Sequence, residues 1–193
     1  MRLRLALALA LACLACGCLL PKPPAEPRYF TPGAGDPEPA ATAHSADGPV
    51  LRLRRVRAAA YLRARMVWRR GVEIGFYDLY RWTESPSRYA QDALETELYE
   101  RRGFQPTTSA VAPALEASLE SFDERLAPAH EAVVSLDVQL VDAKRDVLLD
   151  RAFEVARPIQ GDSPEAIAAA LGDALAAATR QVGEAVSQSL GSR

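Results

Sequence analysis

The sequence predicts an α+β protein: a two-layer sandwich in which a mainly antiparallel sheet carries two helices packed on one face. Three observations lead there. Apolar and polar residues alternate in several runs, most clearly where Val134, Leu136, Val138 and Leu140 alternate with Ser135, Asp137 and Gln139, which is the period of a half-buried strand. Two other stretches space their apolar residues by three and four, and each opens on Ser-Pro, at Ser85-Pro86 and Ser163-Pro164, as helices do. The order strands, helix, strands, helix then places both helices against one sheet face.

The chain opens on an exported leader. Arg2 and Arg4 supply a short positive start, and Leu5 to Leu14 is an alternating Leu/Ala run. That run is long enough for a leader and well short of the roughly 20 apolar residues a spanning helix needs. All three cysteines, Cys13, Cys16 and Cys18, lie in the first twenty residues, so no disulfide framework can cross-link the rest of the chain. In "LACGC" small residues stand before the candidate cysteines, as in a bacterial lipobox. Cys18 after Gly17 is read as the lipid attachment site, with Cys16 after Ala15 as the alternative. Residues 1–17 are then a lipoprotein signal peptide. Each buried methylene contributes about 0.8 kcal/mol, so a multiply acylated cysteine stays in its membrane. Leu19 follows Cys18, where an Asp would favour retention in the inner membrane, so attachment to the inner leaflet of the outer membrane, facing the periplasm, is expected.

Residues 18–48 read as a lipid-anchored tether: Pro21, Pro23, Pro24, Pro27, Pro32, Pro37 and Pro39 accompany few large apolar residues, a composition that buries no core. About 30 such residues span ~30 Å as a coil or ~90 Å as a polyproline helix. Tyr29 and Phe30 interrupt the tether and suit a short edge strand. Residues 49–191 form one domain. The net charge of −2 becomes about −4 once Arg2 and Arg4 are removed, which gives no case for a nucleic-acid partner.

Within the domain, "VLRLRRVRA" alternates Leu51 and Leu53 with Arg52 and Arg54 and predicts the first strand, and "RMVWRR" and "VEIGFYDLYRW", split by Gly71, predict two more. Ser85 is expected to cap, and Pro86 to begin, an amphipathic helix of about 16 residues whose apolar face is Ala90, Ala93, Leu94 and Leu98, ending at Gly103. "ALEASLESFDERL" is ambiguous: Leu115, Leu119, Phe122 and Leu126 have helical spacing, whereas Leu115, Ala117 and Leu119 also alternate, and periodicity alone slightly prefers a helix for 114–123. Glu131 to Ile159 reads as a long hairpin turning at "DAKRD". Ser163 and Pro164 then open a helix of about 27 residues with a stripe of Ile167, Leu171, Leu175, Ala178, Val182 and Val186.

Reactive groups are sparse. His44 lies in the tether and His130 beside a Pro-containing turn, and neither stands at a metal-ligand spacing; HExxH, GxSxG, phosphate-loop and dinucleotide patterns are all missing. No catalytic residue, metal site or cofactor is predicted, and the chain does not read as an enzyme. What is concentrated is arginine and aromatic area. Eight arginines and no acid lie between Arg52 and Arg70, a solvated sheet face or else a patch for an acidic protein or lipid headgroups. Tyr61, Trp68, Phe76, Tyr77, Tyr80 and Trp82 crowd the same region, as core residues of strands or as an exposed groove for a partner.

Tyr61-Leu62 and Arg69 in "YLRARMVWRR", Arg81-Trp82 in "FYDLYRWTESPSRYAQDALETEL", the Pro-led helix, the lipobox and the closing hairpin and helix together resemble the ABC-type transport auxiliary lipoproteins, which include the lipoprotein of the paraquat-inducible system. The resemblance covers about Tyr29 to Leu190. It implies a strand, not a helix, at 114–123, and that is the expectation adopted. It also implies a non-catalytic docking component for a mammalian-cell-entry-type (MCE) protein of an ABC-type or permease-type system that moves lipid between membranes. Arg52, Arg54, Tyr61, Leu62 and Trp82 are the expected partner-binding residues. The competing reading is a free-standing envelope lipoprotein that binds an apolar ligand or assists outer-membrane assembly. An apolar cavity between sheet and helices would favour the latter, a closed core the former.

Overall fold

A computed structural model describes residues 25–33 and 48–191. The signal peptide, Cys16, Cys18 and most of the tether lie outside these residues. In chain order the elements are β1 (Arg28–Phe30), β2 (Val50–Leu53), β3 (Arg57–Ala58), β4 (Arg65–Arg70), β5 (Glu73–Trp82), α1 (Pro86–Glu95), β6 (Gln105–Pro106), β7 (Ala114–Ala127), β8 (Glu131–Val141), β9 (Val147–Pro158) and α2 (Pro164–Gly191).

β7 organises the sheet. One of its edges pairs antiparallel with β8 from Ala114↔Val141 to Arg125↔Glu131, and β8 pairs antiparallel with β9. The other edge is shared in succession by β2 at Ala114 and Leu115, β3 at Ser118 and Leu119, and β4 from Glu124 to Ala127, all parallel to it. β5 returns antiparallel on β4 through a two-residue turn in which Gly71 takes φ 60°, the left-handed region that favours glycine at this place in a tight hairpin. β1 adds parallel to β5, and β6 parallel to β2. The sheet is therefore mostly antiparallel by length, with short parallel ladders on the N-terminal side. The α+β class with both helices on one face is observed.

The strand at 114–123 follows the family expectation and not the helical spacing. A register shift between Leu119 and Ser121 explains the spacing: Leu115, Ala117 and Leu119 alternate inward, the bulge inserts one residue, and Phe122 becomes the next inward residue. A three-residue step inside a strand mimics a helix.

α1 continues without a break into a π-helical turn at Thr96–Arg101, so the predicted 16 residues are helical but not uniformly α. Ser85 does not cap as expected: its hydroxyl makes no bond to the first-turn amides and lies 3.0 Å from Ser87 Oγ, while its carbonyl accepts from Arg88 N at 2.8 Å. Ser163 does cap α2, its Oγ accepting from Ala166 N at 3.2 Å. Asp142 holds the β8–β9 turn, its Oδ1 accepting from the amides of Lys144 (2.8 Å) and Asp146 (2.9 Å).

The core fills the space between sheet and helices. Leu119, Phe122, Val134, Leu136 and Leu140 from the sheet meet Ile167, Leu171, Ala174, Ala178, Val182 and Val186 of α2, with Ala90, Leu94 and Leu98 of α1 and its π-helical turn closing the other side. The residues after β1 dock on α2: Gly33 N donates to Ala168 O at 2.8 Å, and a Cβ on Gly172 would land on the Gly33 carbonyl. β1 thus belongs to the folded body although it falls within the segment read as tether. No helix among the described residues is long and apolar enough to cross a membrane.

Candidate functional site

Alternation decides what the sheet shows to water. Since Leu115, Ala117, Leu119 and Phe122 point at the helices, Glu116, Ser118, Glu120 and Asp123 point to the opposite, helix-free face. Arg52, Arg57, Arg65 and Arg69 of β2 to β4, and Arg54 just after β2, join them there. Arg54 Nη1 pairs with Glu116 Oε1 at 2.7 Å, and Arg57 lines an open cleft with Glu116, Ser118, Glu120, Asp137 and Asp150. Arg65 stacks over the Phe76 ring at 4.5 Å. Arg54, Arg55, Arg57, Arg63, Arg65 and Arg70 are all exposed.

Beneath them lies a fixed polar cluster. Asp123 is 1 % exposed, and its Oδ2 accepts from Arg69 Nε at 3.2 Å. Arg69 Nη2 donates to the Tyr61 hydroxyl at 3.0 Å, which itself donates to the Glu120 carbonyl at 2.7 Å. Burial pushes the Asp123 carboxyl above its ordinary range, against the pull of Arg69. Burial and the Asp123 charge push Tyr61 upward too, so its hydroxyl keeps its proton and stays a donor. Asp123 Oδ1 has no hydrogen-bond partner. The chain Tyr61–Arg69–Asp123 locks the arginine layer to β7.

A second buried acid sits next along β7. Glu124 accepts from the Tyr77 hydroxyl through Oε2, and its Oε1 lies 2.6 Å from His130 Nε2. Burial, then the bond to Glu124, holds the Tyr77 phenol far above its ordinary value. Both carboxylate oxygens are satisfied by neighbouring strands and the β7–β8 turn, so His130 ties the end of the sheet together. Among the described residues no three His, Cys, Asp or Glu side chains cluster as metal ligands.

The expected partner-binding residues divide. Arg54 is exposed on the helix-free face and Tyr61 half-exposed on it. Arg52 is half-buried, its Nε without a partner. Leu62 and Trp82 are core, at 5 % and 2 % exposure, and Trp82 packs edge-to-face on Phe122 with centroids 5.3 Å apart. Clustered apolar and aromatic residues carry no mark of which face they take, and Leu62 and Trp82 took the inner one. Arg65 and the buried Asp123 were not singled out from the sequence, whereas Phe76, Tyr61 and Arg69 were named without their contacts. The available signal was an acid pair, Asp123-Glu124, inside an otherwise apolar-alternating run.

The family model of the ABC-type transport auxiliary lipoprotein component matches residues 34–183. Comparison with curated proteins found no match. Among solved structures, a protein from Xanthomonas campestris superposes with a TM-score of 0.68 at 20% identity, over 86% of this chain and 99% of that one. An uncharacterized protein superposes at 0.67 and 14% identity, over 84% and 99%. These two share the fold.

Proposed function

The chain belongs to the ABC-type transport auxiliary lipoprotein family, and from that premise we propose that it is a non-catalytic docking component, held by a lipid on Cys18 in the inner leaflet of the outer membrane, that binds an MCE-domain protein of a lipid-transport system through the helix-free face of β2 to β5. The observation that carries this reading is the closed core beside the bare face. Apolar side chains from β7, β8 and α2 fill the layer where an apolar ligand would have to sit, with Leu136, Ala174 and Val182 at 0% exposure. The helix-free face instead displays arginines braced from below by Tyr61, Phe76 and Asp123. Arginines and aromatics held in fixed rotamers lose little freedom on association, which is what makes them anchors of interfaces. Leu62 and Trp82 serve this face indirectly by packing under its strands.

The test compares two sets of exposed positions. Arg54→Glu, Arg57→Glu and Arg65→Glu are set against Glu184→Arg on the outer surface of α2, the fold of each is checked by circular dichroism, and co-purification of an MCE-domain protein from membranes is measured. Binding lost in the arginine set and kept in the α2 variant is the expected result. The reverse pattern moves the interface to α2. An intact fold with no MCE-type partner under any condition favours the free-standing envelope lipoprotein.

A further inference from the structure

β1 sets the direction in which the chain toward Cys18 leaves the sheet. It runs parallel to β5, with Arg28 opposite Tyr80 and Phe30 opposite Trp82, so the chain before Arg28 leaves the sheet in the direction of Glu73 and the β4–β5 turn. From Tyr80 back to Val72 is ~27 Å of extended strand. From Arg28 back to Cys18 the chain reaches at most ~36 Å. A lipidated Cys18 that follows the direction set by β1 therefore lies no more than ~10 Å beyond that turn.

Two more connections meet at this end. Arg70 of β4 pairs with Ala127, which places the β7–β8 turn beside the β4–β5 turn, and Glu131 pairs with Pro158, which places the loop leading into α2 there as well. The first two turns carry an apolar surface: Val72 is fully exposed and Ala127, Pro128 and Ala129 are exposed, with Arg70 and Arg157 at the same end, while the loop into α2 adds Gln160 and Asp162. No packing contact accounts for a branched apolar side chain at the tip of a two-residue turn.

We propose that this end is a second membrane contact, resting on the surface of the bilayer that holds the lipid, with Val72 at the boundary of headgroups and acyl chains and Arg70 and Arg157 at anionic headgroups. The inference rests on Cys18 carrying that lipid. Glu73 and Asp162 at the same end keep the electrostatic attraction weak. The contact operates because the anchor holds it at high local concentration. Its consequence is orientation: the strands stand on the membrane, and the arginine face of β2 to β5 looks sideways.

The domain has no cysteine, so a single reporter can be placed cleanly. Full-length lipidated protein carrying Val72→Cys, or Val111→Cys at the opposite end of the sheet where Val111 is 75% exposed, is labelled with an environment-sensitive fluorophore. It is then reconstituted into vesicles of phosphatidylethanolamine and phosphatidylglycerol bearing a lipid-borne quencher. The probe at 72 is expected to shift to the blue and be quenched more than the probe at 111, and Arg70→Glu combined with Arg157→Glu to reduce that quenching. Equal quenching at the two positions, or stronger quenching at 111, overturns the proposal. Flotation separates it from its premise. If the Cys18→Ala protein floats with vesicles as the unaltered protein does, the anchor reading fails. If flotation needs Cys18 and position 72 stays unquenched, only the second contact fails.

Discussion

The two sides of β7 are built differently. On one side β8 and β9 are long, pair from Glu131↔Pro158 to Val141↔Val147, and bury their inner face under α2. On the other, three short strands share a single edge, and their outer face is bare, arginine-rich and braced by a buried acid. Long ladders over an apolar core give stability that does not depend on any one surface group. Short strands with polar bracing give fixed side chains at the surface and little reserve. The first arrangement suits a scaffold, the second a recognition face.

If that division is right, substitutions should separate stability from binding. The largest loss of stability is expected from Phe122→Ala, because Phe122 is fully buried at the junction of both sides and packs on Trp82. Removing such a ring costs ~3–5 kcal/mol, read as a drop in the chemical-denaturation midpoint. A smaller cost would mean that the two sides are less coupled than their shared core suggests.

Arg69→Met comes next. It leaves Asp123 buried without its cation, and with the Arg69 side chain still 27% exposed the cost falls below that of a fully buried pair, at ~2–3 kcal/mol. The decisive second reading is binding: the arginine face should lose its partner more completely than the loss of stability explains.

Gly172→Ala tests the seam between β1 and α2. Alanine favours the helix by ~1 kcal/mol, but its Cβ meets the Gly33 backbone, and such overpacking costs ~1–3 kcal/mol. Net destabilisation and faster proteolysis near Arg28 are expected. A stabilised variant would show that the 28–33 segment yields easily.

The smallest effect is a pH dependence. Because the folded-state pKa of Asp123 is raised, its contribution to stability is fullest below the ordinary value of 3.8 and is lost as pH rises through the raised value. Melting temperatures of wild type and Asp123→Asn, followed upward from about pH 4, should therefore converge or cross in favour of the variant. Parallel profiles would place the carboxyl in an ordinary environment.

β8 and α2 were legible in the sequence because each keeps one period along its length, and β9 because a β-rich run follows the "DAKRD" turn, although a register shift at Val141 breaks its alternation. β7 was not, since one inserted residue between Leu119 and Ser121 changed the phase of its alternation. The parallel partners of β2, β3 and β4 were illegible for another reason: they join segments more than 50 residues apart, and no local pattern records them. The candidate face was half visible. The arginines announce themselves by composition, whereas the inward side of Trp82 depends on the phase of β5, and the sides of Tyr61 and Leu62 depend on how the β3–β4 connection packs against β7.

The shared edge of β7 also sets an order of events. Until β7 has been made, β3 has no lateral partner, β2 has only the two-residue β6, and β4 has only its hairpin with β5. At a synthesis rate of ~5–20 residues per second, the segment from β2 to the end of β7 takes ~4–16 s to be made. For that interval β3 and one edge each of β2 and β4 lack their β7 partner, and dense like charge on such edges disfavours association with other chains. The composition that later serves a surface first serves a delay.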